Sequence, residues 1–144
     1  MAGGKGYGNG LHQLHDPYYI AVDALGAIYV SDNENHRVMK WSKRATQGVV
    51  VAGNGTRGKE LTQLCYPRGV LVDTNGTVYV VERGNHRVTR WQKDAMEGVL
   101  IVGENGKGNQ ANQFDCPIGL SFDKHGNLFV VDRENHRAQR FSIA

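Results

Sequence analysis

Several things are scarce in this chain of 144 residues, and each scarcity removes a class of function. The cysteines number two, Cys65 and Cys116, too few for a disulfide framework, and nothing near them in sequence has metal-ligand spacing. No apolar run approaches the ~18 residues of a membrane-spanning helix, so no membrane partner is expected. The start, Met1-Ala2-Gly3-Gly4-Lys5-Gly6, lacks the apolar core of a signal peptide. Gly stands at position 3 rather than 2, so the myristoylation pattern fails. Charge of one sign is scarce too: 17 Lys and Arg face 14 Asp and Glu, a net +3, too small an excess to indicate nucleic acid. No stretch shows helical period over about 11 residues, so essentially no helix is expected. What is left is one modest domain with its compartment open.

What the chain does have is repetition. Asn35-His36-Arg37 returns as Asn85-His86-Arg87 and as Asn135-His136-Arg137, each time 50 residues on. The same step links Gln13, Gln63 and Gln113, the prolines Pro17, Pro67 and Pro117, the aspartates Asp23, Asp73 and Asp123, and the glycines Gly26, Gly76 and Gly126. The repeats run over about 3-52, 53-102 and 103-144.

Each unit reads as strands joined by turns. Ile20-Ala21-Val22, Val70-Leu71-Val72 and Leu120-Ser121-Phe122 follow the prolines. Asp-x-x-Gly comes next, a turn in which Asp bonds its own backbone and Gly tolerates positive φ. Ile28-Tyr29-Val30 and its equivalents form a second strand. A third leads from Asn-His-Arg to Trp41, Trp91 and Phe141, and a fourth reads Val49-Val50-Val51 and Val99-Leu100-Ile101-Val102. The apolar runs are nearly continuous, which predicts sheets covered on both faces. Four short antiparallel strands between two neighbours describe a β-propeller blade.

The run Val-Asp-x-x-Gly-x-Ile-Tyr-Val-x-Asp-x-x-Asn-His-Arg-Val resembles the signature of NHL repeats, and the resemblance covers nearly the whole chain. It implies an all-β fold of three propeller blades, half of the usual six-bladed ring. Met1-Ala2-Gly3 aligns with the fourth-strand tail Val51-Ala52-Gly53, while Phe141-Ser142-Ile143-Ala144 follows a third strand. The last blade is therefore expected to lack its outer strand. Three blades leave apolar faces and a strand edge in water. The expected partner is a second copy, giving a homodimer that closes a six-bladed ring, or the remainder of a longer parent chain.

Motifs that suggest chemistry have simpler readings. Gly53-Asn54-Gly55-Thr56-Arg57-Gly58 fits G-x-G-x-x-G, but a dinucleotide site needs a helix after it, and Cys65-Tyr66-Pro67 leads into a strand instead. Gly106-Lys107-Gly108 lacks the Ser or Thr of a P-loop. The three histidines of the triplets read as structural, with Arg pairing to Asp32, Glu82 or Asp132. His12, His15 and Asp16 have loose metal spacing in one repeat only, and no serine sits in a G-x-S-x-G elbow. No catalytic residue, cofactor or metal is assigned. Asn54 and Asn75 head glycosylation sequons on turns, relevant only in a secreted protein.

Departures from the repeat point to ligands. Arg57, Arg68, Arg83, Lys107 and Arg133 are expected on one rim, with Tyr18 beside the channel mouth and Tyr19 where the other repeats carry Gly69 and Gly119. The resemblance implies a non-enzymatic binding scaffold, because NHL domains commonly bind proteins or RNA. Protein or peptide is the expected ligand. Single-stranded RNA on the Arg/Lys/Tyr rim is the first alternative, and a metal-dependent lyase or hydrolase in the channel, as in some similar propellers, is the second.

Overall fold

The computed structural model describes residues 1–143; Ala144, with which the third repeat was expected to end, lies outside the described residues. Three antiparallel sheets follow one another along the chain. The first contains β1 (Pro17–Val22), β2 (Ile28–Asp32), β3 (Arg37–Trp41) and β4 (Val49–Ala52), in that spatial order. The second repeats it with β5 (Pro67–Val72), β6 (Val78–Glu82), β7 (Arg87–Trp91) and β8 (Val99–Val102). The third holds β9 (Pro117–Phe122), β10 (Leu128–Asp132) and β11 (Arg137–Phe141), with β11 an unpaired edge among the described residues. Two three-residue 3-10 turns, Asn33–Asn35 and Arg133–Asn135, are the nearest thing to helix. No helix is long and apolar enough to cross a membrane.

The turns form as their chemistry requires. Asp23 Oδ1 accepts from the N–H groups of Leu25 and Ala27, and Asp73 and Asp123 do the same two and four residues on. The Ala27 N–H holds the Asp23 carboxyl below the usual carboxylate range, and the Asn127 side-chain amide does so for Asp123. Gly26, Gly76 and Gly126 close these turns at φ of +82°, +80° and +82°, where a Cβ is strained.

Asn-His-Arg fastens the glycine-rich loop before each sheet to the sheet itself. Arg37 Nε lies 2.7 Å from Asp32 Oδ2, while its Nη atoms donate to the carbonyls of Asn9, Gly10 and Gln13. Asn35 Nδ2 donates to Gly8 O and Asp32 Oδ2. Arg87 with Glu82 and Arg137 with Asp132 repeat the arrangement. Both charges of the first pair are nearly buried, and the pair survives because both Nη atoms of the guanidinium also find carbonyls.

The sheets stack face to face as blades, with the inner strands β1, β5 and β9 side by side. Tyr29, Val38 and Ala52 of the first blade pack with Leu64, Val70, Val80 and Trp91 of the second. Val81, Val88 and Val102 of the second pack with Phe114, Leu128 and Val130 of the third. A smaller cluster, Val30, Met39 and Trp41, lies on the outer face of the first blade, half-covered by Ala2 and Leu14. Double-sided covering, expected of all three sheets, therefore holds fully for the middle one alone. Ile20 and Val22 on one end and Val131 on the other face solvent.

Candidate functional site

The start of the inner strands, where the sequence places the channel mouth, is irregular. Pairing of β1 with β2 skips from Pro17↔Asp32 to Ile20↔Val30, which leaves Tyr18 and Tyr19 in a bulge. Arg68 and Gly69 occupy the same break in β5. Bulges re-aim side chains, and here they direct a pair across the blades: the Arg68 guanidinium lies 3.4 Å from the centroid of the Tyr18 ring. Tyr19 is fixed by its N–H donating to Ser31 Oγ at 2.9 Å. Its phenol lies near Gly119, where an added Cβ would be 3.8 Å from Tyr19 Oη. Gly69 is glycine for a different reason, since a Cβ there would sit 3.0 Å from the Ile118 carbonyl oxygen.

The other basic residues separate into local pairs. Arg57 Nη1 donates to Tyr66 Oη at 3.3 Å, Lys107 Nζ lies 3.8 Å from Asp115, and Arg133 lies 3.5 Å from Glu134. Arg83 behaves differently. Its Nε, like that of Arg68, is buried without a hydrogen-bond partner among the described residues, and its charge reaches Cys65, His86 and Cys116. The residues predicted as one basic rim thus divide into a mouth pair, Tyr18 with Arg68, beside Tyr19; an uncommitted Arg83; and three cations held by neighbours.

Two of the three triplet histidines are junction parts. His36 Nδ1 accepts from the Tyr66 N–H at 3.1 Å, and His86 Nδ1 accepts from the Cys116 N–H at 3.0 Å. Each bond joins one blade to the next. Burial pulls both imidazoles below the usual histidine value, despite the acidic groups nearby, and so favours the neutral ring that accepts.

Sequence reading missed a cluster at the second junction. His86, Asp115 and Cys116 offer ligand atoms all within 4.8 Å of one another. The signal was present: His36 and His86 each meet the residue before a proline 30 positions later, but ligand spacing within one segment does not reveal it. As a metal centre the cluster is poor. His86 Nδ1 is engaged, burial pushes the Cys116 thiol up, and Lys107 and Arg83 bring positive charge to the same place.

A cleft of about 490 Å³ opens at the opposite rim, between the first and second blades, lined by Asp23, Tyr29, Lys40, Val72 and Asp73 among others. Tyr29 Oη donates to Asp23 Oδ2 at 3.2 Å, and Lys40 Nζ lies 5.4 Å from the Tyr29 centroid. The equivalent place between the second and third blades is occupied. There Phe122 stands edge-on to Tyr79, centroids 4.9 Å apart, at the register where the first junction has the smaller Val72.

The repeat pattern and its geometry coincide with a known family model, NHL repeat, over residues 15–41, 64–91 and 114–141. The chain belongs to the NHL-repeat family. No curated protein sequence matches the chain, but solved structures do. A gluconolactonase from Xanthomonas campestris is similar at TM-score 0.68 and 17% identity, over 91% of this chain and 45% of that one. A nutrient-binding protein from Bacteroides ovatus is similar at TM-score 0.68 and 16% identity, over 87% and 37%. A chain of a nidogen–laminin complex is similar at TM-score 0.59 and 22% identity, over 90% and 50%. At these identities the likeness concerns the fold, which is that of the β-propeller. The NHL segment spans half or less of each of these relatives.

Proposed function

We propose that this NHL segment is a non-catalytic binding module, and that its ligand is a protein or peptide carrying acidic side chains that docks at the channel mouth. The fold does not choose among ligands, and the similar structures named above include both an enzyme and a protein complex. The observation that carries the reading is the Tyr18–Arg68 pair. A guanidinium is held 3.4 Å from the centroid of an aromatic ring, so its position is fixed, and no acidic side chain among the described residues pairs with its charge. Such a group recognises a carboxylate at small entropic cost. Completing the ring requires further blades, from the rest of a longer chain or from a second copy.

The same pair favours a second reading. An aromatic ring stacked with a guanidinium is also a platform for an unpaired base, so single-stranded RNA is the alternative. Fluorescence anisotropy with a Glu-rich peptide and with a single-stranded RNA of equal charge separates the two. The expected result is peptide binding that Arg68→Ala weakens about tenfold or more, the scale of a lost charge-assisted bond. RNA binding that is tighter, salt-dependent and lost with Tyr18→Ala would transfer the site to the alternative. Binding of neither ligand would remove both.

A further inference from the structure

We infer that two copies of this chain join head to tail, the open face of the first blade in each seated on the open face of the third blade in the other. This rests on the propeller reading above and names its partner. The reasoning begins with the two junctions that the chain already builds. In both, a histidine of the earlier blade accepts from a backbone N–H of the later one: His36 from Tyr66 and His86 from Cys116. The third histidine, His136, is exposed and its Nδ1 has no partner among the described residues. The matching N–H belongs to Asp16, which is exposed and likewise without an acceptor among the described residues.

The backbone at Asp16 is already shaped for that bond. Its φ is 54°, against 49° at Tyr66 and 51° at Cys116, and such a positive φ is costly for a residue with a side chain. His136, at φ 53°, likewise matches His36 and His86 at 49° and 51°. The conformation of a junction is therefore present at both ends, without its bond.

The apolar surfaces agree register by register. Phe129, Val131 and Ala138 occupy the registers of Tyr79, Val81 and Val88, which pack against the third blade. Ile20 and Leu14 occupy those of Val70 and Leu64, which pack against the first. Burial falls at the inner strand and rim positions where the neighbour is missing: Val81 is 0% exposed and Val131 44%, Val70 is 4% and Ile20 66%, while Val30 and Trp41 stay covered by their own blade and the N-terminal segment. Gly3 is packed on Leu14 much as Gly53 is on Leu64. Ala52 pairs with Val38 at the end of β4, so Ala2 of a second copy falls beside Ala138 and the unpaired edge of β11.

A second copy supplies both complementary faces at once, in two identical junctions about a twofold axis. In the closed ring the channel mouth carries two Tyr18–Arg68 pairs and two Tyr19 phenols.

Light scattering over a dilution series tests the inference. The expected result is one species of twice 15.9 kDa. Ile20→Asp and Val131→Lys each reduce it to monomer with unchanged circular dichroism, because both side chains are exposed in the single chain. His136→Ala weakens association about tenfold, the value of one or two such bonds. Mixing Ile20→Asp with Val131→Lys restores dimer, since one of the two junctions is then unaltered on both sides. A monomer at every concentration, a ladder of masses beyond the dimer, or a dimer indifferent to these substitutions overturns the inference. If the dimer is absent while Arg68→Ala still weakens peptide binding, closure fails and the binding module stands.

Discussion

The middle blade and the end blades are the same unit in different surroundings, and their contrast separates what a repeat carries from what its neighbours confer. Val81 and Val131 share a register and a side chain, yet one is sealed and the other is open to water. Val70 and Ile20 show the same contrast on the opposite face. A second difference lies inside the blades. In the first and third, Asp32 and Asp132 accept from the N–H of His15 and Asp115 at 2.7 Å. In the second, Glu82 reaches one methylene further and collects Asn85, Arg87 and Thr89. Thr89 Oγ1 in turn accepts from Trp91 Nε1 at 3.0 Å. The first blade has Met39 in place of that threonine, and Trp41 Nε1 is buried without a partner among the described residues. Burial pushes the Glu82 carboxyl up, against the downward pull of Arg87, Asn85 and Thr89. The middle blade therefore ties its buried carboxylate to its own third strand through Thr89 and Trp91, whereas the first and third tie theirs to the preceding loop.

The largest expected effect breaks that network. Arg87→Ala leaves Glu82 buried and unpaired, which costs about 3–5 kcal/mol. Arg137→Ala costs less because its guanidinium is already partly solvated. Urea unfolding of both variants measures the gap; equal losses would mean that burial does not distinguish the blades.

Next in size come the junction histidines, compared in the Ile20→Asp background so that association contributes nothing. His36→Ala or His86→Ala strands a backbone N–H and is expected to cost about 1–3 kcal/mol, while His136→Ala costs close to nothing. The pH dependence follows in sign. Both folded imidazoles titrate below their unfolded value of about 6.5, so the unfolded chain binds more protons. Stability is complete above that value and is lost as pH falls through it towards the folded one. The unfolding midpoint should drop below about pH 6.5, and a His36→Ala/His86→Ala double variant should flatten the drop. A profile unchanged by the double variant would assign the acid sensitivity elsewhere.

The smallest effect concerns the two clefts. Val72→Phe copies the Phe122–Tyr79 contact into the junction beneath Tyr29 and should stabilise by about 1 kcal/mol, the scale of an edge-on aromatic pair. A lower melting temperature would show that the cleft lined by Asp23 and Lys40 is not shaped to take the ring.

Much of the fold was legible because the repeat states it three times. The Asp-x-x-Gly turns, the Arg–carboxylate pairs and the proline-led strands are local or nearly local, and the repeat fixes their partners. The site was less legible. Tyr18 and Arg68 were placed on one rim by register, but their stacking depends on two bulges in different blades. Arg57, Lys107 and Arg133 were expected on the same rim as ligand contacts, whereas each lies beside a local partner, Tyr66, Asp115 or Glu134. Cys116 beside His86 was missed, since the pairing requires two segments 30 residues apart to meet at a blade junction.

The sequence by itself determined the unit: its strand order, its turns, its buried ion pairs and its recurrence, because each is set by residues within one period of 50. Tertiary structure alone decided which copies of a side chain are buried, which histidines find an N–H and which cleft stays open. Those outcomes depend on the neighbouring blade, and identical residues differ only in having one.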